Sequence, residues 1–145
     1  MRNRVEVLHG VNLDRLGERD PEHYGSFTLA ELEVTIKRFA VELGLEARFF
    51  HSNHEGEFVE HLHCLPEVAD AALVNAGAWS HYSYAIRDAL ELARVPAVEV
   101  HLSDVGAREE WRRRSVFDGI VAGVVSGKGV DGYRDALELV RAELA

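Results

Sequence analysis

The chain has 145 residues, 47% of them hydrophobic and 28% charged, which fits a single globular domain over 1–145 able to bury a core without disulfides or a metal. Its 16 Lys and Arg against 25 Asp and Glu give a net charge of −9, which argues against nucleic acid or an anionic membrane as the main partner. No apolar stretch approaches the roughly 18 residues of a membrane span, and the start M-R-N-R-V lacks the apolar core of a signal peptide. The lone cysteine, Cys64, suits a reducing compartment, so the expected location is the cytoplasm.

Val5–Leu8 reads as a first strand. The loop after it, His9 to Gly25, is H-G-V-N-L-D-R-L-G-E-R-D-P-E-H-Y-G, far longer than the roughly two to six residues usual between strand and helix. It carries Leu13, Leu16 and Tyr24, which a solvated linker does not need. Arg19 precedes Tyr24 closely enough for a turn to set a guanidinium beside a phenol, and a nearby cation stabilises a phenolate that acts as a base. Leu29, Leu32, Ile36, Phe39 and Leu43 then mark one helical face, opened by a Thr28–Glu31 capping box and stopped at Gly44.

Ala47–Phe50 is the second strand, followed by Ser52-Asn53-His54-Glu55-Gly56 and a shorter helix, Glu57–Leu65, ending at Pro66. Strand three, Ala71–Val74, leads into Asn75-Ala76-Gly77-Ala78-Trp79-Ser80-His81 and a helix over Tyr82–Ala93. Strand four, Ala97–Val100, leads into His101-Leu102-Ser103. Ala107–Arg114 reads as a short polar helix. Its Arg108, Arg112, Arg113 and Arg114 form either a local anion site or a solvated face balanced by Glu109 and Glu110. Ile120–Val125 is the fifth strand, and Gly132–Leu144 the last helix.

Strict alternation of strand and helix predicts right-handed crossovers and an α/β fold. A flavodoxin-like, five-stranded parallel sheet of order 2-1-3-4-5, with helices on both faces, suits this length, and ligands of such folds bind beyond the carboxyl ends of the strands. Amides, imidazoles and hydroxyls collect on that rim: Asn12, Asn75, His81, His101 and Ser103. Taken singly, Asn75 reads as a turn cap, Ser103 as a helix N-cap and His81 as a polar residue of a first helical turn. Their joint placement points to a site. Glu99 and His101 share one side of their strand, where a carboxylate would orient the imidazole as a proton donor. Other chemistries find no support: there is no P-loop, no G-x-G-x-x-G after the first strand, no H-E-x-x-H and no G-x-S-x-G. His61 and His63 diverge on a helix and make a poor metal pair.

The segments G-V-N-L-D-R-L-G-E-R-D-P-E-H-Y-G, F-F-H-S-N-H-E-G-E, N-A-G-A-W-S-H, A-I-R-D-A-L, P-A-V-E-V-H-L-S and A-R-E-E-W-R resemble those of the type II 3-dehydroquinate dehydratases, in the same order over nearly the whole chain. The resemblance implies a hydro-lyase of the shikimate or quinate pathway. It would dehydrate 3-dehydroquinate to 3-dehydroshikimate by anti elimination through an enolate, with no metal or organic cofactor. By position, Tyr24 matches the base at C2 and Arg19 the arginine favouring its phenolate. Asn12 matches the amide holding a water at the enolate oxygen. His101 matches the acid at the C1 hydroxyl, and Glu99 the residue orienting it. Asn75, His81, Asp88, Leu102, Ser103 and Arg112 match the substrate-holding positions, Leu102 and Ser103 through backbone N–H groups. The resemblance also implies a homododecamer, a tetramer of trimers, and the long loop is expected to close as a lid.

The chain departs from the family pattern at His9 and Val11 (usually Asn and Pro), Ala76 and Trp79 (Pro and Tyr), and Asp104 and Gly106 (Asn and His). Ser126-Gly127-Lys128-Gly129 departs from the usual C-G-x-G turn. None of these removes a matched catalytic group. They are expected beside the substrate, with Val11 loosening the start of the loop and His9 adding a titratable group there. The competing readings are a dehydratase of an analogue such as amino-dehydroquinate, a slow homologue serving as a binding protein, and, from the fold alone, a flavin- or phosphate-binding module.

Overall fold

The computed structural model describes residues 2–145. Its sheet has five parallel strands in the order β2-β1-β3-β4-β5: β1 Arg4–His9, β2 Glu46–His51, β3 Ala71–Asn75, β4 Ala97–His101 and β5 Gly123–Ser126. This is the flavodoxin-like order expected from the alternation. β1, β3 and β4 are the inner strands. β3 and β4 are buried along their whole length, as strands covered on both faces must be. Helices α2 (Leu29–Glu42) and α5 (Asp131–Leu144) cover one face with Leu32, Ile36, Tyr133 and Leu137. Helices α3 (Glu55–Val68) and α4 (Tyr84–Ala93) cover the other with Phe58, Leu62, Ile86 and Leu90.

Several boundaries differ from those read in the sequence. The long loop is not irregular: it contains a 3-10 helix over Leu13–Glu18, which sinks Leu13 and Leu16 into the core. It also contains a one-turn helix α1, Pro21–Tyr24, started by Pro21 and capped by Asp20, which accepts from Glu22 N–H at 3.0 Å. The Thr28–Glu31 capping box forms as expected. Helix α3 runs through Pro66 to Val68. The proline lies in its last turn, where burial of Leu62 and Leu65 outweighs one missing backbone bond. Helix α4 begins at Tyr84 because Ser83 caps it by accepting from Ile86 N–H, while Gly77–His81 closes separately as a 3-10 helix. Ala107–Arg114 is not one helix. It splits into 3-10 turns at Val105–Ala107 and Glu110–Arg113, because Arg108 is extended. β5 starts at Gly123, and residues 120–122 form a turn before it.

Tyr133 on α5 is 1% exposed and its hydroxyl lacks a well-formed hydrogen bond. Burial pushes its phenol up to about 12, opposed by the nearby Asn75 side chain. Because the folded form resists ionisation and the unfolded chain does not, this group's contribution to stability is complete below about pH 10 and is lost as pH rises toward 12. Tyr133→Phe is therefore expected to leave stability at pH 7 unchanged or slightly higher and to flatten its fall between pH 10 and 12. Denaturant unfolding at both ends of that range checks this; an identical alkaline fall in both proteins contradicts it.

Candidate active site

Backbone contact between the β1 and β3 loops builds the floor of the site. A side chain at Gly10 would lie 2.3 Å from the Ala76 carbonyl oxygen, and Gly77, at φ +64, would place a Cβ 2.6 Å from the Val11 carbonyl. Only glycine permits both approaches. They bring Asn12 to the rim in a left-handed conformation, φ 70. Asn53, in the β2 loop, fixes that turn: its Oδ1 accepts from Asn12 N–H at 2.8 Å, and its Nδ2 donates to Asp14 at 3.1 Å. Beyond the strand ends lies a cavity of about 110 Å³, walled by the β1, β3 and β4 loops. Of the residues expected there, Asn12, Arg19, Tyr24, Asn75, His81, His101, Leu102, Ser103 and Arg112 all line it. Glu99 stands one layer behind, 1% exposed.

Tyr24 is the focus of the positive charge. Arg19 Nη2 donates to its hydroxyl at 2.6 Å, with the guanidinium carbon 3.7 Å above the ring. Arg108 Nη1 donates to the same oxygen at 2.5 Å and to Ser103 Oγ at 3.2 Å. The expected Arg19–Tyr24 pair is therefore formed, and a second arginine, read in the sequence only as one of the 108–114 cluster, joins it from the β4 side. Arg112 also faces the cavity, held by Glu109 at 2.8 Å. Burial pushes the Arg19 guanidinium below its ordinary value. Tyr24 opposes that fall, and the like charges of Arg108 and Arg112 add to it. Within a chain of net charge −9, this pocket is a local concentration of positive charge.

The two histidines are held differently. His101 Nε2 lies 2.5 Å from Glu99 Oε2, and Ser115 Oγ donates to the other carboxylate oxygen at 2.7 Å. The His101 ring thus has one nitrogen committed to a buried carboxylate, and the cavity at its other side. His81 Nδ1 donates to the Arg114 carbonyl at 2.7 Å. That carbonyl only accepts, so Nδ1 carries the hydrogen. Burial lowers the imidazole from its ordinary value, although the Arg114 carbonyl works against it; His101 and Arg112 add to the fall. A neutral His81 consequently presents Nε2 as a hydrogen-bond acceptor, suited to a hydroxyl. At the end of β4, Gly129 and Gly127 N–H donate to the Leu102 and Ser103 carbonyls at 3.1 Å each. With the Leu102 carbonyl turned toward Gly129, the Ser103 N–H of the same trans peptide points the opposite way.

One expected residue is not brought in. Asp88 sits on the exposed face of α4 and does not line the cavity of its own chain. The departures from the family pattern also sort themselves. His9 is not at the cavity: it is fully buried, stacked on Phe49 with ring centroids 6.0 Å apart, and its Nε2 lies 3.0 Å from Glu33 but off hydrogen-bonding line. Ala76 and Trp79 pack into the core behind the rim, Trp79 edge-on to Phe58. Asp104 caps its own turn by accepting from Gly106 N–H. Val11 alone among the substituted side chains reaches the cavity wall. Among the described residues, no three His, Cys, Asp or Glu side chains come close enough to hold a metal ion, and no helix is long and apolar enough to cross a membrane.

A flavodoxin-like sheet with a phenol between two guanidiniums, facing a carboxylate-bound imidazole, defines a site for acid–base chemistry on an anionic molecule. Residues 3–141 match the profile of the family described as Dehydroquinase class II, and the chain belongs to that family. It is 50% identical over 131 residues to the 3-dehydroquinate dehydratase of Syntrophotalea carbinolica, covering 90% of this chain and 88% of that protein. With the 3-dehydroquinate dehydratase of Pelobacter propionicus it shares 46% identity over 97% of this chain and 95% of that one. Among solved structures it is similar to the type II dehydroquinase from Butyrivibrio crossotus, with a TM-score of 0.92 and 34% identity over 97% of this chain and 98% of that one.

Proposed function

We propose that the chain is a hydro-lyase that dehydrates 3-dehydroquinate to 3-dehydroshikimate by anti elimination through an enolate. The observation that carries this reading is the Tyr24 hydroxyl, held at 2.6 and 2.5 Å by Arg19 and Arg108 in the same cavity as the His101–Glu99 pair. Removing a proton beside a ketone needs a base and stabilisation of the enolate oxygen; losing hydroxide needs an acid. Tyr24, as phenolate, takes the C2 proton, and the electron pair moves to the carbonyl oxygen, where Asn12 holds a water. As the enolate collapses, His101 gives its proton to the C1 hydroxyl, which leaves as water. Glu99 steadies the imidazole in both states. Arg112 and the Ser103 N–H meet the substrate carboxylate, while Asn75 and the acceptor nitrogen of His81 meet its hydroxyls.

The cavity, about 110 Å³, is smaller than the roughly 300–1,000 Å³ of most small-ligand pockets. Access then falls to the part of the loop beyond the buried Leu13 and Leu16, from Gly17 to Gly25, which swings out carrying Arg19 and Tyr24, and its return expels water around the forming enolate. Self-association completes the reading. Asp88 shares an exposed α4 stripe with Tyr84 and Leu92, and Trp111, Arg113 and Arg114 line an open recess beside His81. An acidic, apolar stripe and a basic, aromatic recess on one chain are complementary, so a second copy's Asp88 would approach this chain's arginines within the expected homododecamer, a tetramer of trimers. A cytoplasmic location accords with the unpaired, exposed Cys64.

Mixing the protein with dehydroquinate and EDTA is expected to produce the conjugated-enone absorbance of dehydroshikimate. Tyr24→Phe should lower the rate by about 10²–10⁴, and His101→Ala should cost more than His81→Ala. No turnover by the wild type, or unchanged turnover in Tyr24→Phe, overturns the reading. Limited proteolysis between Gly17 and Gly25 should slow with a substrate analogue bound; equal cutting with and without it removes the lid. Sedimentation should give the mass of twelve chains, whereas a monomer leaves Asp88 without a role.

A further inference from the structure

One short segment outside the cavity engages both of its histidines. The Arg114 carbonyl accepts from His81 Nδ1 at 2.7 Å, and the next residue, Ser115, donates its hydroxyl to Glu99 Oε1 at 2.7 Å. Phe117 N–H donates to Ser115 Oγ at 3.1 Å, leaving the hydroxyl hydrogen to point at the carboxylate. The segment is tied down from outside. Val116 N–H donates to the Ser80 carbonyl at 2.7 Å, and Arg87 on α4 donates to the Val116 and Asp118 carbonyls at 2.5 and 2.8 Å. Val116 and Phe117 are buried in the α3–α4 side of the core. Residues 114–118 thus form a strap across the back of the site.

A carboxylate with both oxygens engaged has a fixed plane. Glu99, 1% exposed, has one oxygen on His101 and the other on Ser115, so the Ser115 hydrogen bond sets the direction in which Glu99 presents the imidazole. We propose that Ser115 is a positioning residue for the proton donor, acting through Glu99, and that the 114–118 strap sets the orientation of both imidazoles. The proposal rests on the reading of His101 as the acid of the dehydration. Without the Ser115 hydrogen, Glu99 Oε1 becomes a buried acceptor with no donor. That cost is relieved when the carboxylate turns or takes the Nε2 proton of His101. Turning re-aims the ring nitrogen that faces the cavity, and loss of the Nε2 proton leaves a neutral imidazole, a weaker acid toward the leaving hydroxyl. Ser115 does not line the cavity, so substrate affinity is untouched.

Ser115→Ala is expected to lower kcat about tenfold or more, the scale of a lost hydrogen bond to a charged group, with KM within about twofold. Ser115→Thr, which keeps the hydroxyl, should stay within about threefold of wild type. Placed on His101→Ala, Ser115→Ala should cause no further loss. An equal loss in that background, or a loss confined to KM, overturns the proposal. A second readout needs no turnover. The His101 Nε2 proton, assigned by its absence in His101→Ala, should resonate far downfield in the free protein, shift or vanish in Ser115→Ala, and persist in Ser115→Thr. An unchanged resonance in Ser115→Ala overturns the proposal, whether or not the protein dehydrates dehydroquinate. If Ser115→Ala does not fold, Arg87→Met loosens the strap without touching Glu99; kcat should fall more than KM rises, and an unchanged kcat counts against the strap.

Discussion

Two guanidiniums sharing one phenolic oxygen is the constraint on which the site depends. Arg19 reaches Tyr24 from the same loop, and Arg108 reaches it from beyond β4, so the contact forms only when the loop lies against the sheet end. Burying Arg19 beside Arg108 and Arg112 around one small cavity is electrostatically costly: burial first, and the like charges after it, push its guanidinium below the ordinary value. The cost is offset when the cavity holds negative charge. In the proposed mechanism a phenolate at Tyr24 and an anionic substrate supply it, so that closure and activation of the base would be one event.

The fold supports that event by making everything else on the rim rigid. Gly10 and Gly77 let the β1 and β3 loops touch backbone to backbone, and Asn53 locks Asn12 into its turn. The β4 end is held by Gly127 and Gly129 N–H on the carbonyls of Ser103 and Leu102. Glu99 fixes His101 from beneath. In the proposed mechanism the base travels on the loop while the acid, His101, stays on the sheet, and water is excluded last, when the proton donor is already aimed.

Much of this was legible in the sequence because the governing patterns are local. Short apolar runs separated by helical periods force a parallel sheet, and the residues after each run must then share one rim. Glu99 and His101 meet because strand side chains repeat every two residues. What remained hidden depends on tertiary contact. Pro66 reads as a stop until the burial of Leu62 and Leu65 is known. Arg108 and Arg112 are alike in sequence, and only the break at Arg108 turns its guanidinium to Tyr24. His9 looks like a site residue by neighbourhood, yet strand alternation sends it to the α2 face against Phe49. Ser115 lies in a stretch with no periodic signal at all. Asp88 belongs to an exposed face of α4 and does not reach the cavity of its own chain.

The division of labour between loop and sheet is tested most directly by hydrogen exchange at C2 of dehydroquinate in deuterated solvent, followed by mass spectrometry against an enzyme-free control. If Tyr24 alone forms the enolate, His101→Ala still incorporates deuterium at C2 while releasing almost no dehydroshikimate, and Tyr24→Phe does neither. Exchange that survives in Tyr24→Phe, or disappears equally in both variants, would contradict the account.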